Sequence, residues 1–337
     1  MKEILRQLIE KQDLSETQMT QAMDTILQGQ ATPTQIGAFM AALATKGETF
    51  EELAGAARSL RKQARRIQVP GACFDTCGTG GDGLSTFNIS TVTAFVVAAG
   101  GVVVAKHGNR SVSSACGSAD VLEALGVDLS TPPEEVEEII QDIGIGFLFA
   151  PTFHKAMAHA AAPRKETGIR SIFNMVGPLT NPAGANAQLL GVFAPQLTEM
   201  FARALDLLGS PRAMVVHGHD GLDEISVCAP TRITELKEGQ TTTFDLHPEN
   251  FFGELAAPEA LRGGNPEKNA AIARGILAGE IQGPKRNVVL INAAAALVTA
   301  DKADNLKDGL DLAHDRLDSG AALEKLDQLI RLTGGRP

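Results

Sequence analysis

A chain of 337 residues with 44% hydrophobic and 21% charged residues carries enough apolar material for about two ordinary domains. Thirty basic against forty acidic residues give a formal net charge of −10, and there are 14 Phe but no Tyr or Trp. That balance argues against a broad nucleic-acid surface and leaves few base-stacking platforms, so any anionic ligand needs a local basic island. Within the first seventy residues, Ile4, Leu5, Leu8 and Ile9 fall on one face of a first helix. Ser15 with Gln18 forms a capping box for a second helix that stops near Gly29. Thr32 before Pro33 starts a third, ending at Gly47, and Thr49 with Glu52 opens a fourth. Four helices without strands predict a separate small helical domain over 1–70.

Beyond Pro70 the texture alternates between strand and helix. Strands are predicted at 72–76, 102–106, 145–149, 188–193 and 212–217. Helices are predicted at 90–99, at 118–125 before Gly126, from a Thr131 cap through 142, and at 197–208. The stretch 225–244 reads as shorter strands and turns, and the chain is helical again from Pro266, with 287–300 apolar enough to be buried. The pattern predicts an α/β fold: a small N-terminal helical domain and a larger α/β domain whose mostly parallel central sheet is flanked by helices, with ligands at the carboxyl ends of the strands. Cys73, Cys77, Cys116 and Cys228 form no CxxC pair and are expected to be reduced thiols in a cytoplasmic protein. The longest apolar run, 92–105, is broken by Gly100-Gly101 and falls short of the roughly 18 residues of a membrane span.

Three loops at strand ends carry the chemistry. The first, residues 75–91, packs Gly78, Gly80, Gly81 and Gly83 with Asp82 and a row of hydroxyls between a strand and a helix. Glycine allows positive φ and close backbone approach, so amide N–H groups can face anionic oxygens beside a helix N-terminus; this is a phosphate cradle. Gly78, Gly80 and Gly83 also satisfy G-x-G-x-x-G, but the next strand ends in Ala105-Lys106 and lacks the acid that would hold a dinucleotide ribose. No Gly-Lys-Ser/Thr closes the run, which excludes a Walker loop. Asp82 would repel a bare phosphate, so the ligand should bring a cation or sugar hydroxyls; a turn without ligand is the competing reading. The second loop, Lys106, His107, Gly108, Asn109, Arg110, Ser111, Val112, Ser113 and Ser114, supplies the basic island. In the third, His217 to Glu224, the adjacent carboxylates Asp223 and Glu224 suit Mg²⁺ shared with substrate phosphates, whereas His217 and His219 lack a third ligand at zinc spacing.

Together, Gly-Thr-Gly-Gly-Asp-Gly with Asn-Ile-Ser-Thr, Lys-His-Gly-Asn-Arg-Ser-Val-Ser-Ser and Asp-Gly-Leu-Asp-Glu resemble the anthranilate phosphoribosyltransferase family of tryptophan biosynthesis. Gly-Ser-Ala-Asp-Val-Leu from Gly117, the run from Ile172 to Pro182 and Asn-Ala-Ala at 269–271 and 292–294 extend the likeness over nearly the whole chain. The resemblance implies transfer of a phosphoribosyl group from 5-phosphoribosyl 1-pyrophosphate to the amine of anthranilate in a Mg²⁺-dependent enzyme. It also implies a homodimer formed through the helical domain, and a middle segment, about 165–185, that returns to that domain from an α/β domain made of 71–164 and 186–337. Carried over, Gly78, Gly81, Asp82, Thr86, Asn88, Ile89, Ser90, Thr91, Lys106, His107, Gly108, Asn109, Arg110, Ser111, Val112, Ser113, Ser114 and Ser118 would bind substrate. Ser90, Asp223 and Glu224 would hold Mg²⁺, while Lys106, Asn109 and Arg164 would be the catalytic set. Arg164 has its own physical reason: a planar guanidinium suits a benzoate carboxylate, and Ala161-Ala162-Pro163 offers an apolar wall for its ring. Two departures stand out, Lys155 where the family often has proline and Ala115-Cys116 where a basic residue often follows the serines. The rival readings are a pyrimidine nucleoside phosphorylase and a non-catalytic nucleic-acid-binding relative; the net charge opposes the second.

Overall fold

The computed structural model describes residues 1–111 and 116–335. Its first helices are α1 (Lys2–Ile9), α2 (Glu16–Leu27), α3 (Pro33–Lys46) and α4 (Phe50–Gln63). The capping boxes of α2 and α4 form as the spacing predicts, and a third closes α3, where Thr32 accepts from Gln35 N. Glu52 does more than cap. Fully buried, it accepts from Leu14 N at 2.8 Å and Thr49 N at 2.9 Å and pairs with Lys46 at 3.0 Å, tying the ends of three helices together. At Gly55 a Cβ would lie 2.5 Å from the Glu16 carbonyl, so the close approach of α2 to α4 requires glycine.

The remaining elements form a seven-stranded sheet and its covering helices. The strands are β1 (Phe74–Gly78), β2 (Val104–Gly108), β3 (Ile145–Phe149), β4 (Ala187–Gly191), β5 (Arg212–Gly218), β6 (Thr231–Lys237) and β7 (Gln240–Leu246), in the order β3-β2-β1-β4-β5-β6-β7. The first five are mutually parallel and the last two antiparallel. The helices are α5 (Ile89–Ala99), α6 (Ser118–Ala124), α7 (Pro133–Ile143), α8 (Ala150–Phe153), α9 (Ala158–Thr167), α10 (Ile172–Met175), α11 (Leu197–Leu207), α12 (Glu249–Phe252), α13 (Pro266–Leu277), α14 (Pro284–Thr299), α15 (Leu306–Asp318) and α16 (Ala321–Leu332). Strand alternation separates two cores. Leu189, Met214 and Val216 face α5, α13, α14 and α16, while Leu190, Ala213 and Val215 face a second core shared with α1–α4, α10 and α11. The helical bundle therefore packs continuously onto one face of the sheet, and α9 and α10 lie against α2, α3 and α4.

Three local expectations change. β1 and β2 begin two residues later than the apolar runs suggest, because the ladder starts where Phe74 pairs with Val104 and Ala187 and Val104 pairs with Ile145. Thr131 does not cap α7; its hydroxyl donates to the Asp128 carbonyl, and Pro132-Pro133 start the helix. The stretch 225–244 resolves into the β6–β7 hairpin, turned by Glu238 and Gly239, both at positive φ. All four cysteines are free. Among the described residues no helix is long and apolar enough to cross a membrane.

Candidate active site

The chain builds outward from β1 to β2 and β3, then returns to the other side of β1 with β4 and β5. Such a reversal leaves a crevice at the carboxyl ends of the strands. Here it is a cleft of about 400 Å³, walled by the loops after β1, β2 and β5 and by the segment around α9 and α10. Every described residue that the sequence assigns to substrate, Mg²⁺ or catalysis lines this cleft, whereas Gly83 of the cradle and Ala161, Ala162 and Pro163 do not. Val112, Ser113, Ser114 and Ala115 lie outside the described residues.

The loop after β1 is held at both ends. Gly80, Gly81 and Gly83 have positive φ, and the Gly80 amide donates to Asp223 Oδ2 at 2.9 Å. Arg170 Nη2 donates to the Gly81 carbonyl at 2.9 Å, and a Cβ on Gly81 would lie 2.5 Å from that nitrogen. At the far end, Gly263 N donates to the Ser85 carbonyl and Phe87 N to that of Leu261, a short antiparallel bridge. The chain then enters α5, where Ser90 N donates to Glu224 Oε1 at 3.1 Å. On the opposite strand, Gly191 lets the 223–224 turn approach, since a Cβ there would sit 1.5 Å from the Asp223 carbonyl.

The electrostatics of this half are dominated by acids. Burial, then the neighbouring Asp82, pushes Asp223 up to about 7; burial, then Asp223, pushes Glu224 up to about 8, with Lys106 opposing. Lys106 is buried, donates to the Thr76 carbonyl at 2.5 Å and is pulled below its ordinary value by burial, against Asp75, Cys77 and Glu224. Burial also raises Asp75 to about 6, although Asn181 and the His107 amide donate to it. A divalent cation between these carboxylates would relieve their repulsion, so the residues fit Mg²⁺. No group of three or more His, Cys, Asp or Glu side chains arranged for a metal occurs among the described residues, so the remaining ligands would come from substrate and water. The buried Thr91 hydroxyl, without a partner among the described residues and on the cleft wall, is the kind of orphan a ligand satisfies.

The second loop differs from its sequence reading. Arg110 is paired with Asp120 and Glu123, so its charge is spent within the protein. Burial and the His154 ring 5.1 Å away lower His107 to about 3, which keeps it neutral. Ser118 donates to the Asn109 carbonyl and leaves the Asn109 side chain at the exposed rim. Cys116 lines the cleft as a neutral thiol, raised to about 11 by burial, so the departure there supplies no positive charge. Lys155 is exposed and lies outside the cleft wall. His217 donates to the Val192 carbonyl and His219 meets Asp245; neither lines the cleft.

Lining the same cleft as the carboxylates, Arg164 on α9 is half-buried, and its guanidinium makes no hydrogen bond or ion pair with described residues, only a contact 5.6 Å above the Phe173 ring. The apolar wall beside it is Phe173, Pro178 and Ala150, not Ala161-Ala162-Pro163, of which Ala161 and Ala162 are exposed. Helical rotation explains most of the correction: Ala162 and Pro163, two and one residues before Arg164, point to other faces of α9. Arg170, Phe173, Asn174 and Phe193 are cleft residues that sequence reasoning missed. Arg170 stacks 3.9 Å over Phe193 while holding Gly81. The Ile172–Pro182 run was the available signal, but its residues carry no motif-level chemistry.

A helical bundle joined to an α/β sheet, with a glycine cradle and paired carboxylates at the switch point, defines a two-domain glycosyl transferase. The family described as "Glycosyl transferase family, helical bundle domain" matches residues 2–64, and "Glycosyl transferase family, a/b domain" matches 71–323. An anthranilate phosphoribosyltransferase of Desulfosudis oleivorans is 64% identical over 98% of this chain and 97% of its own length, and that of Syntrophobacter fumaroxidans 63% identical over 98% of each. Among solved structures, the Thermus thermophilus anthranilate phosphoribosyltransferase superposes with a TM-score of 0.93 at 44% identity, covering 98% of this chain and 99% of that one. The Saccharomyces cerevisiae enzyme in complex with PRPP and Mg superposes with a TM-score of 0.89 at 30% identity, covering 98% and 97%. The chain belongs to the anthranilate phosphoribosyltransferase family.

Proposed function

We propose that the protein transfers the phosphoribosyl group of 5-phosphoribosyl 1-pyrophosphate to the amine of anthranilate, giving N-(5-phosphoribosyl)anthranilate and pyrophosphate in L-tryptophan biosynthesis. The observation that carries this reading is the half-buried Arg164 guanidinium, without a hydrogen bond or ion pair to the described residues, lining one cleft with a glycine cradle and two carboxylates. A guanidinium in that state seeks a planar anion, and an aromatic acid satisfies it while Phe173 and Pro178 flank its ring.

The aryl amine is neutral at pH 7, so its lone pair attacks the anomeric carbon without a strong base. The new C–N bond forms as the C–O bond to pyrophosphate breaks, and the extra amine proton leaves to solvent. Catalysis is then positioning plus stabilisation of departing charge. Gly78, Gly81, Asp82, Thr86, Asn88, Ser90, Thr91 and Ser118 hold the donor, Asn109 and Arg164 hold the acceptor, and Lys106 opposes developing negative charge. Ser90, Asp223 and Glu224 would hold Mg²⁺, which would supply positive charge to offset that of the pyrophosphate. The domain division follows from the same reading: 1–70 with the segment near 165–185 carries the acceptor wall of Phe173 and Pro178, and 71–164 with 186–337 carries the donor site together with Asn109 and Arg164. The homodimer rests on α1, where Ile9 is 73% exposed beside the partly buried Met1, Ile4 and Leu5; light scattering at twice the chain mass supports it, and the chain mass alone removes it.

Loss of anthranilate fluorescence on adding phosphoribosyl pyrophosphate and Mg²⁺ tests the activity. An unchanged signal refutes it, and phosphate-dependent cleavage of thymidine would move the protein to the nucleoside phosphorylases.

A further inference from the structure

The two Asn-Ala-Ala segments lie on α13 and α14, and neither asparagine lines the cleft. Asn292 sits in the fully buried run Val288 to Leu297 and has no exposure of its own. An amide in such surroundings is costly unless all its polar atoms are paired. Its Oδ1 accepts from Ile225 N at 2.9 Å, and its Nδ2 donates to the Ile225 carbonyl and to that of Val288, both at 2.8 Å. The side chain thus pairs with both backbone groups of Ile225, as a neighbouring strand would, and Ile225 directly follows Glu224. Asn269, 1% exposed, behaves likewise. Its Oδ1 accepts from Gly264 N at 2.7 Å and its Nδ2 donates to Asn88 Oδ1 at 3.0 Å, while Asn88 Nδ2 donates to the Cys116 carbonyl at 3.1 Å. Asn269 therefore links the segment that bridges Thr86 to the end of the β1 loop and to the second loop. A Cβ at Gly263 would lie 2.6 Å from Asn269 Oδ1 and 2.7 Å from Phe87 N, so the packing leaves no alternative seat.

We infer that Asn269 and Asn292 are positioning residues, one bracing the donor loop at Asn88 and the other bracing the Asp223-Glu224 turn from behind. Neither touches substrate. Each fixes a backbone whose side chains or amides do, and each uses a carboxamide because that group sets an acceptor oxygen beside a nitrogen with two donors, where a hydroxyl has a single donor. The inference rests on the proposed reaction, and the two can fail separately.

Hydrogen exchange on the wild-type protein is the first arm: the Ile225 and Gly264 amides should exchange with the slow core class, and fast exchange at either overturns its brace. The second arm compares near-isosteric variants, Asn292→Asp and Asn269→Asp, with Asn292→Ser and Asn269→Ser should the first pair fold poorly. Losing a buried amide bond of about 1.4 kcal/mol corresponds to a tenfold change. Asn292→Asp should raise the Mg²⁺ concentration for half-maximal rate about tenfold, and Asn269→Asp should raise the KM for phosphoribosyl pyrophosphate about tenfold at saturating Mg²⁺. In both, the KM for anthranilate should stay within about twofold and exchange should quicken at the braced amide. Folded variants with unchanged constants, or with every constant altered alike, overturn the inference. A wild-type protein that leaves anthranilate untouched refutes the proposed reaction instead, while the exchange arm still reads the braces.

Discussion

The two halves of the cleft are built on different principles. The proposed donor half is backbone and buried carboxylate: glycine amides, the Asp223-Glu224 turn and a loop pinned by Arg170 at Gly81 and by the 261–264 segment at its other end. The proposed acceptor half is side chains alone, Arg164 and Phe173 from α9 and α10 and Asn109 from the rim of the second loop. A doubly pinned backbone suits a highly charged ligand whose oxygens must be met by many fixed dipoles. A guanidinium on a separate helix, unpaired among the described residues, suits a small planar acid that needs one strong contact and a wall. The difference predicts that damage to the two halves will be kinetically separable.

The largest effect is expected on the donor side. Asp223→Asn combined with Glu224→Gln should lower turnover by about 10²–10³-fold, measured by anthranilate fluorescence, with a native circular dichroism spectrum; near-normal turnover would remove the metal assignment. On the acceptor side, Arg164→Lys should raise the KM for anthranilate by about 10–30-fold, since a bidentate fork becomes a point charge, and should leave the KM for phosphoribosyl pyrophosphate within about twofold. Arg170→Ala crosses the boundary, because Arg170 belongs to the α9–α10 segment but grips the donor loop. It should raise the KM for phosphoribosyl pyrophosphate about fivefold and quicken hydrogen exchange over 79–85, and an effect confined to anthranilate would redraw the division.

The smallest effect is on stability. Asp223, Glu224 and Asp75 have folded-state values raised to about 7, about 8 and about 6. Between the ordinary carboxylate range near 4 and those values, the unfolded chain has released protons that the native protein retains, so stability falls as pH rises through the window. The metal-free melting temperature should therefore drop by a few degrees from about pH 5 to about pH 8. Asp223→Asn with Glu224→Gln should flatten that slope, and a melting temperature that rises with pH would contradict the burial of these acids.

The same contrast governs what could be read from the sequence. The donor loop was legible because its glycines, Asp82 and hydroxyls are contiguous at a strand-to-helix junction, and the capping boxes of α2 and α4 because their partners are three residues apart. The acceptor wall was not: Phe173 and Pro178 join Arg164 only when α9 and α10 fold against the bundle, and no periodicity marks them. Arg110 looked like part of a free basic island because Asp120 and Glu123, which neutralise it, lie on the next helix. Asn269 and Asn292 were visible as repeated Asn-Ala-Ala, yet their meaning lies in hydrogen bonds to residues 181 and 67 positions away.

Pyrophosphate release measured alongside anthranilate consumption tests most directly whether one cleft joins these halves. One pyrophosphate per anthranilate consumed, with none released when anthranilate or Mg²⁺ is left out, is the predicted result. Pyrophosphate release that proceeds at the same rate without anthranilate, or no release under any combination, would contradict it.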